Sequence, residues 1–180
     1  IGYGGSCFPK DIRAMIGMGE PLLELPLLRA VDRVNERQKG VLVEKVKRHF
    51  GEDLTGLTFA VWGLSFKPRT DDMRDAPSIV VIEALLKAGG RIEAYDPEAM
   101  EEARKIFADR VRYHRRNYDA LKGADALLVV TEWNEFRRPN FQTIKELLKS
   151  PVIFDGRNVY DAQELKRLGF TYYSIGRQNG

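Results

Sequence analysis

Apolar residues recur at two different spacings along this chain, and the spacing changes near Gly51 and Gly56. Before that point Leu27, Leu28, Val31, Val34, Val41, Leu42, Val46 and Phe50 fall on one stripe at helical intervals, with Arg, Asp, Glu and Lys on the other faces. The spacing predicts one long helix over 27–50, stopped by the glycines that follow. Upstream, residues 1–8 read as a glycine loop. A short helix is expected from Pro9 to about Gly17, with Pro9 in the first turn, where a missing N–H costs nothing. The stretch "MGEPLLELP" between the two helices is broken by two prolines.

From Leu57 onward short apolar runs alternate with helical patterns. "LTFAVWG", "RIEAYDP", "DALLVVT", "PVIFDGRN" and "TYYSIG" read as strands, and "VRYH" as a weaker one. "PSIVVIEALLKAGG", "EAMEEARKIF", "YDALKGA", "NFQTIKELLK" and "DAQELKRLG" read as helices between them. Strand–helix alternation with buried, continuously apolar strands predicts a parallel sheet covered on both faces. The expected fold class is therefore α/β: a long central helix followed by a Rossmann-like parallel-sheet domain. The expected division is 1–56 for the loop and central helix and 57–180 for the sheet domain.

Composition narrows the function classes. The chain has 180 residues, of which 43% are hydrophobic, enough for a sizeable core. No apolar run reaches the roughly 18 residues of a membrane span, so no membrane partner is expected. A single cysteine excludes an internal disulfide and suits the cytoplasm. The net charge of +3 is spread along the chain, and the basic runs "HRRN" and "FRRP" are short and mixed with acids. That argues against a nucleic-acid partner. The chain begins with Ile1 inside a motif, and a longer parent protein is expected.

Candidate chemistry sits in the loops. Ligands of open α/β sheets lie at the carboxyl ends of the strands. The segment after the first strand, "GLSFKPRTDDMRDAPS", carries Lys67, Arg69 and Arg74 but no G-x-G-x-x-G fingerprint. Phosphate recognition there would use lysine and arginine side chains rather than backbone alone. "DGRN" places Arg157 on the same rim. The alternative is that these are solvated surface charges. Cys7 lies between a glycine turn and the helix expected at Pro9. Free N–H groups at a helix start, together with Lys10, favour a thiolate. Asp11, four residues on, is within reach of anything bound to the sulfur. Cys7 is thus a candidate nucleophile with Asp11 as candidate base; the alternative is a small buried hydrophobe. Asp96 reads as a ribose ligand or as a turn and cap. Trp62 and Trp133 read as core or contact aromatics. His49 and His114 are isolated, and no metal site is expected.

"GYGGSCFPKD" resembles the catalytic segment of UDP-glucose 6-dehydrogenases within the wider nucleotide-sugar dehydrogenase family. "VNERQK", "WGLSFKPRTDDMRDAPS", "YDP" and "FDGRN" continue the resemblance in order over essentially the whole chain. The resemblance implies an NAD-dependent four-electron oxidation of UDP-glucose to UDP-glucuronate, or of a related GDP-mannose or UDP-N-acetylmannosamine substrate. It implies Cys7 as the nucleophile that forms a thiohemiacetal and then a thioester, with Asp11 helping to activate water. Gly2, Tyr3, Gly4, Gly5, Phe8, Phe66, Lys67 and Arg157 would bind substrate, and Lys10 and Arg74 would reach NAD. The central helix would form a homodimer. The family's NAD-binding domain would precede Ile1, along with a lysine and an asparagine of the site. A UDP-sugar-binding and dimerisation module without turnover is the alternative in a second functional class.

Overall fold

The computed structural model describes residues 1–19 and 23–177. Helix α1 spans Phe8–Gly19 and helix α2 spans Pro26–Phe50. Part of the two-proline stretch expected between them lies outside the described residues. Among those described, six strands follow: β1 (Thr58–Trp62), β2 (Arg91–Tyr95), β3 (Arg112–Tyr113), β4 (Ala126–Val129), β5 (Val152–Asp155) and β6 (Thr171–Ser174). They form one parallel sheet in the order β3-β2-β1-β4-β5-β6. The order reverses beside β1, the doubly wound arrangement that places ligands beyond the carboxyl ends of the strands. Helices α3 (Pro77–Lys87), α4 (Met100–Phe107), α5 (Phe141–Leu147) and α6 (Ala162–Arg167) cover the faces.

The strands read as unbroken apolar runs because each face of the sheet has its own core. In β1, Phe59 and Val61 point into one cluster with Leu42, Val46, Ile82, Leu85 and Phe107. Ala60 and Trp62 point into the other, with Phe136, Ile144 and Leu165. β4 alternates in the same way, Leu128 to the first face and Leu127 to the second. Trp62 stacks on Phe136 with ring centroids 5.0 Å apart, and Trp133 is buried beside it in the same cluster.

Two expectations need adjusting. The segment "YDALKGA" forms a 3-10 turn over Asn117–Leu121 instead of an α-helix. The stripe on α2 also divides. Leu42 and Val46 are fully buried under the sheet, whereas Leu27 is 74% and Val34 51% exposed. Only the second half of the helix packs on the domain behind it. Each fully buried Leu or Val there contributes about 1.5–3 kcal/mol, so this half anchors the helix and the first half projects.

Candidate functional site at the cysteine loop

Residues 1–7 cross the carboxyl side of the sheet and are held by main-chain clamps. Asn35 of α2 is buried and mimics a neighbouring strand: Tyr3 N–H donates to Asn35 Oδ1 at 2.7 Å, and Asn35 Nδ2 donates to Tyr3 O at 3.1 Å. Gly5 N–H donates to Arg74 O at 2.7 Å, joining the cysteine loop to the β1–α3 loop. Both glycines are dictated by that junction. A Cβ on Gly4 would lie 2.4 Å from Asp75 O, and one on Gly5, where φ is +96°, would lie 2.7 Å from the Phe66 ring. At these two positions the space a side chain would take is filled by the protein's own β1–α3 loop.

Cys7 occupies the N-cap of α1. Its carbonyl accepts the first helical bond, from Asp11 N–H at 2.8 Å, and Phe8 and Pro9 follow as the first helical residues. The free amide N–H groups of Phe8 and Lys10 and the positive end of the helix lie at this terminus, where Cys7 is the cap residue. The thiol is exposed, with Ser6 Oγ 3.6 Å from Sγ. Asp11 follows one turn on, ion-paired with Lys10 at 3.1 Å, and both side chains are exposed. Tyr3 packs edge-on against Phe8, with centroids 4.6 Å apart. An exposed thiol, an exposed carboxylate one turn on and an aromatic pair thus lie at the start of α1.

The β1–α3 loop is built from its first residues outward. Asp96 is fully buried at the end of β2 and accepts from Leu64 N–H at 2.6 Å, Ser65 N–H at 3.1 Å and Trp133 Nε1 at 3.1 Å through Oδ2. Its Oδ1 accepts from Glu98 and Ala99 N–H, both at 2.9 Å. The turn-and-cap reading of Asp96 is the one the structure supports, since every acceptor position serves the chain itself. Gly63, at φ +93°, lets the loop leave the sheet where a Cβ would meet Thr131 at 2.5 Å. Further along, Arg74 grips Asp72 through Nε and one terminal nitrogen, both at 2.9 Å. This pair raises the Arg74 pKa, with a smaller contribution from Cys7 close by, and lowers that of Asp72. Lys67 is exposed, with Nζ 5.2 Å from the centroid of the Phe66 ring that rests on Gly5.

Arg157 lies on the carboxyl edge of the sheet with its side chain turned inward. Its side chain is 19% exposed. Nε donates to Val130 O at 2.8 Å and lies 3.0 Å from Glu132, while a terminal nitrogen donates to Phe66 O at 2.9 Å. Burial lowers its pKa, opposed by Glu132. The guanidinium ties the end of β4 to the Phe66–Lys67 turn, so it organises the β1–α3 loop from behind.

An apolar stripe does not single out Asn35, Lys39, Arg13 and Asp75, which are polar and yet build the site. Yet Asn35, Lys39, Leu42 and Val46 follow the 4-3-4 spacing of a buried helix face, and all four are buried. Polar residues in phase with a core stripe were the available signal. Among the described residues no group of three or more His, Cys, Asp or Glu side chains converges as metal ligands would.

A doubly wound sheet with a cysteine-capped helix and a lysine- and arginine-bearing loop at its carboxyl edge defines an α/β nucleotide-binding class. The chain matches the UDP-binding domain of the UDP-glucose/GDP-mannose dehydrogenase family over residues 60–162 and that family's central domain over residues 1–37. It belongs to that family. It is 46% identical to a UDP-glucose 6-dehydrogenase of Pseudomonas aeruginosa, covering 98% of this chain and 40% of the relative. A UDP-glucose 6-dehydrogenase of Bacillus subtilis is 43% identical, with 99% and 40% covered. A UDP-glucose dehydrogenase structure from Pyrobaculum islandicum aligns with a TM-score of 0.80 at 37% identity, covering 91% of this chain and 36% of that one. The chain therefore spans about two fifths of the length of the curated relatives it matches.

Proposed function

We propose that this chain is the cysteine-bearing, substrate-binding part of a UDP-glucose 6-dehydrogenase, divided near residue 56 into a loop-and-helix portion and a UDP-binding domain. The observation that carries the reading is the Gly5–Arg74 junction, which brings the Cys7 loop and the Phe66–Lys67 loop to one sheet edge. Lys67 binds the diphosphate or sugar as a point charge, and Phe66, Phe8, Tyr3 and the main chain of Gly2, Gly4 and Gly5 frame the sugar. The exposed cations Lys10 and Arg74 fit the phosphates of NAD, although each already has a carboxylate partner in Asp11 and Asp72. NAD supplies the hydride acceptor for both oxidations. The protein's own part begins once the C6 alcohol has become an aldehyde. Cys7 Sγ adds to the carbonyl carbon, giving a thiohemiacetal that keeps the aldehyde from diffusing away. Loss of a second hydride and the hydroxyl proton leaves a thioester on Cys7. Asp11 takes a proton from water as its oxygen attacks that thioester, and the sulfur leaves as a thiolate with UDP-glucuronate released. A reducing compartment such as the cytoplasm keeps Cys7 in the thiol form this requires.

The test is Cys7→Ser in the complete enzyme. Formation of UDP-glucuronate should be lost, while affinity for UDP-glucose measured by calorimetry stays within a few-fold. Turnover near that of the parent would overturn the mechanism. In the same assay Lys67→Ala should weaken UDP-glucose binding by roughly 1.5–3 kcal/mol, the scale of a lost charge-assisted contact.

A further inference from the structure

Arg13 faces three carboxylates from two separate parts of the chain. One terminal nitrogen lies 3.3 Å from both oxygens of Asp75 in the β1–α3 loop. The other lies 3.1 Å from Glu36 of α2, and Nε is 3.4 Å from Asp32, also of α2. The arrangement does not end there. Lys39, whose side chain is 2% exposed, approaches Glu36 at 2.9 Å and Asp75 at 3.8 Å from beneath. Two cations from two helices therefore share Asp75, which itself holds a left-handed backbone at φ +51°. An isolated surface pair contributes little. Here the Arg13 fork spans α1, α2 and the loop at once, and a neighbouring ammonium that is buried depends on the same acids for its compensation.

We propose that Arg13 is a positioning residue of the cysteine site. It sits on α1, six residues beyond Cys7 and two beyond Asp11, and its three partners belong to the helix and loop against which α1 must be set. The clamps on Tyr3 and Gly5 fix the chain ahead of the cysteine. Arg13 fixes the helix behind it, so the Cys7 sulfur and the Asp11 carboxylate are held at a set distance from the Phe66–Lys67 turn. A lysine at this position carries the charge but lacks the planar fork that reaches three acids. The catalytic consequence rests on the reading of Cys7 as nucleophile; the positioning itself does not.

The experiment uses this 180-residue chain, in which Cys7 is the only cysteine and takes a nitroxide label alone. The label's electron paramagnetic resonance line shape reports motion at the N-cap of α1. Arg13→Ala should shorten its rotational correlation time at least twofold, with Arg13→Lys intermediate. Lys122→Ala, which removes an exposed ion pair with Asp119, should leave it unchanged. An unchanged line shape in folded Arg13→Ala overturns the proposal. Should that variant not fold, Asp75→Asn removes the loop's charge while keeping its volume; the same gain in motion is expected, and no gain overturns the proposal. Titration of the unlabelled parent with UDP-glucose separates the two claims: absent binding would count against the function, while the label still decides the role of Arg13.

Discussion

At the scale of single residues, the site is defined by where a side chain cannot fit and by where a buried acid faces main-chain donors. Gly4 shows the first. Its missing Cβ would stand 2.4 Å from Asp75 O and 2.8 Å from Asp75 C, both backbone atoms that cannot rotate away. Gly4→Ala should therefore destabilise the chain by about 1–3 kcal/mol, the usual cost of forcing extra volume into a packed junction. Gly17→Ala is the control, because it lies inside α1 with open space around it. Removing backbone freedom from a helix interior should stabilise by about 0.5–1 kcal/mol. Urea unfolding of the two variants against the parent measures both, and a Gly4→Ala midpoint equal to the parent's would contradict the packing argument. Asp96 and Asp155 show the second principle. Asp155 closes β5 by accepting from Arg157, Val159 and Tyr160 N–H and from the Tyr172 hydroxyl. Burial beside this acid raises the pKa of Tyr172 well above the usual tyrosine range.

At the scale of elements, α2 performs two tasks along its 25 residues. Its last turns sit over the sheet, and His49 there donates to or accepts from the Tyr173 hydroxyl at 2.8 Å, with the ring edge-on to Phe50 and Phe154. Partial desolvation against these rings lowers the His49 pKa from 6.5, while the residue itself remains exposed. A histidine whose folded pKa is depressed binds its proton more weakly when folded. Its contribution is present above 6.5 and is lost as pH falls through the lower folded value. Thermal unfolding of the parent and of His49→Gln should therefore show the parent's relative advantage shrinking from about pH 8 to about pH 5. An advantage that grows toward acid would reverse the sign and refute this assignment.

At the scale of the whole molecule, the projecting half of α2 and the adjoining α1 leave an apolar surface. Met15, Met18, Leu23, Leu27 and Val34 are exposed. A groove of about 400 Å³ between the cysteine loop and α2 is lined by Tyr3, Ala30, Val31 and Val34 among others. A second copy of the chain, related by a two-fold axis, would cover this surface with its own equivalent. Sedimentation at micromolar concentration should then report twice the chain mass of 20.6 kDa. Val34→Glu should halve that mass, because a carboxylate would be carried into the apolar contact. A parent that sediments as a monomer would refute the self-association.

The pattern of residues along the chain specifies the class of fold and singles out Cys7 as the candidate reactive residue. Period-two burial on both faces of a parallel sheet produces unbroken apolar runs, and helix stripes and glycine stops separate them, so the alternation from Leu57 to Ser174 is visible without coordinates. Cys7 stands out because its neighbours dictate a local structure, a glycine loop and then a proline-started helix. Local chemistry of this kind is written in adjacent residues. The remaining contacts join residues far apart in sequence and exist only in the folded chain. Asn35 meets Tyr3, Arg157 turns inward to Phe66, and Arg13 meets Asp75 across 62 positions. A polar side chain has the same local pattern whether it faces water or another segment. The packing of the two halves of the chain selects between them, by removing water from some of those groups and supplying a partner in its place.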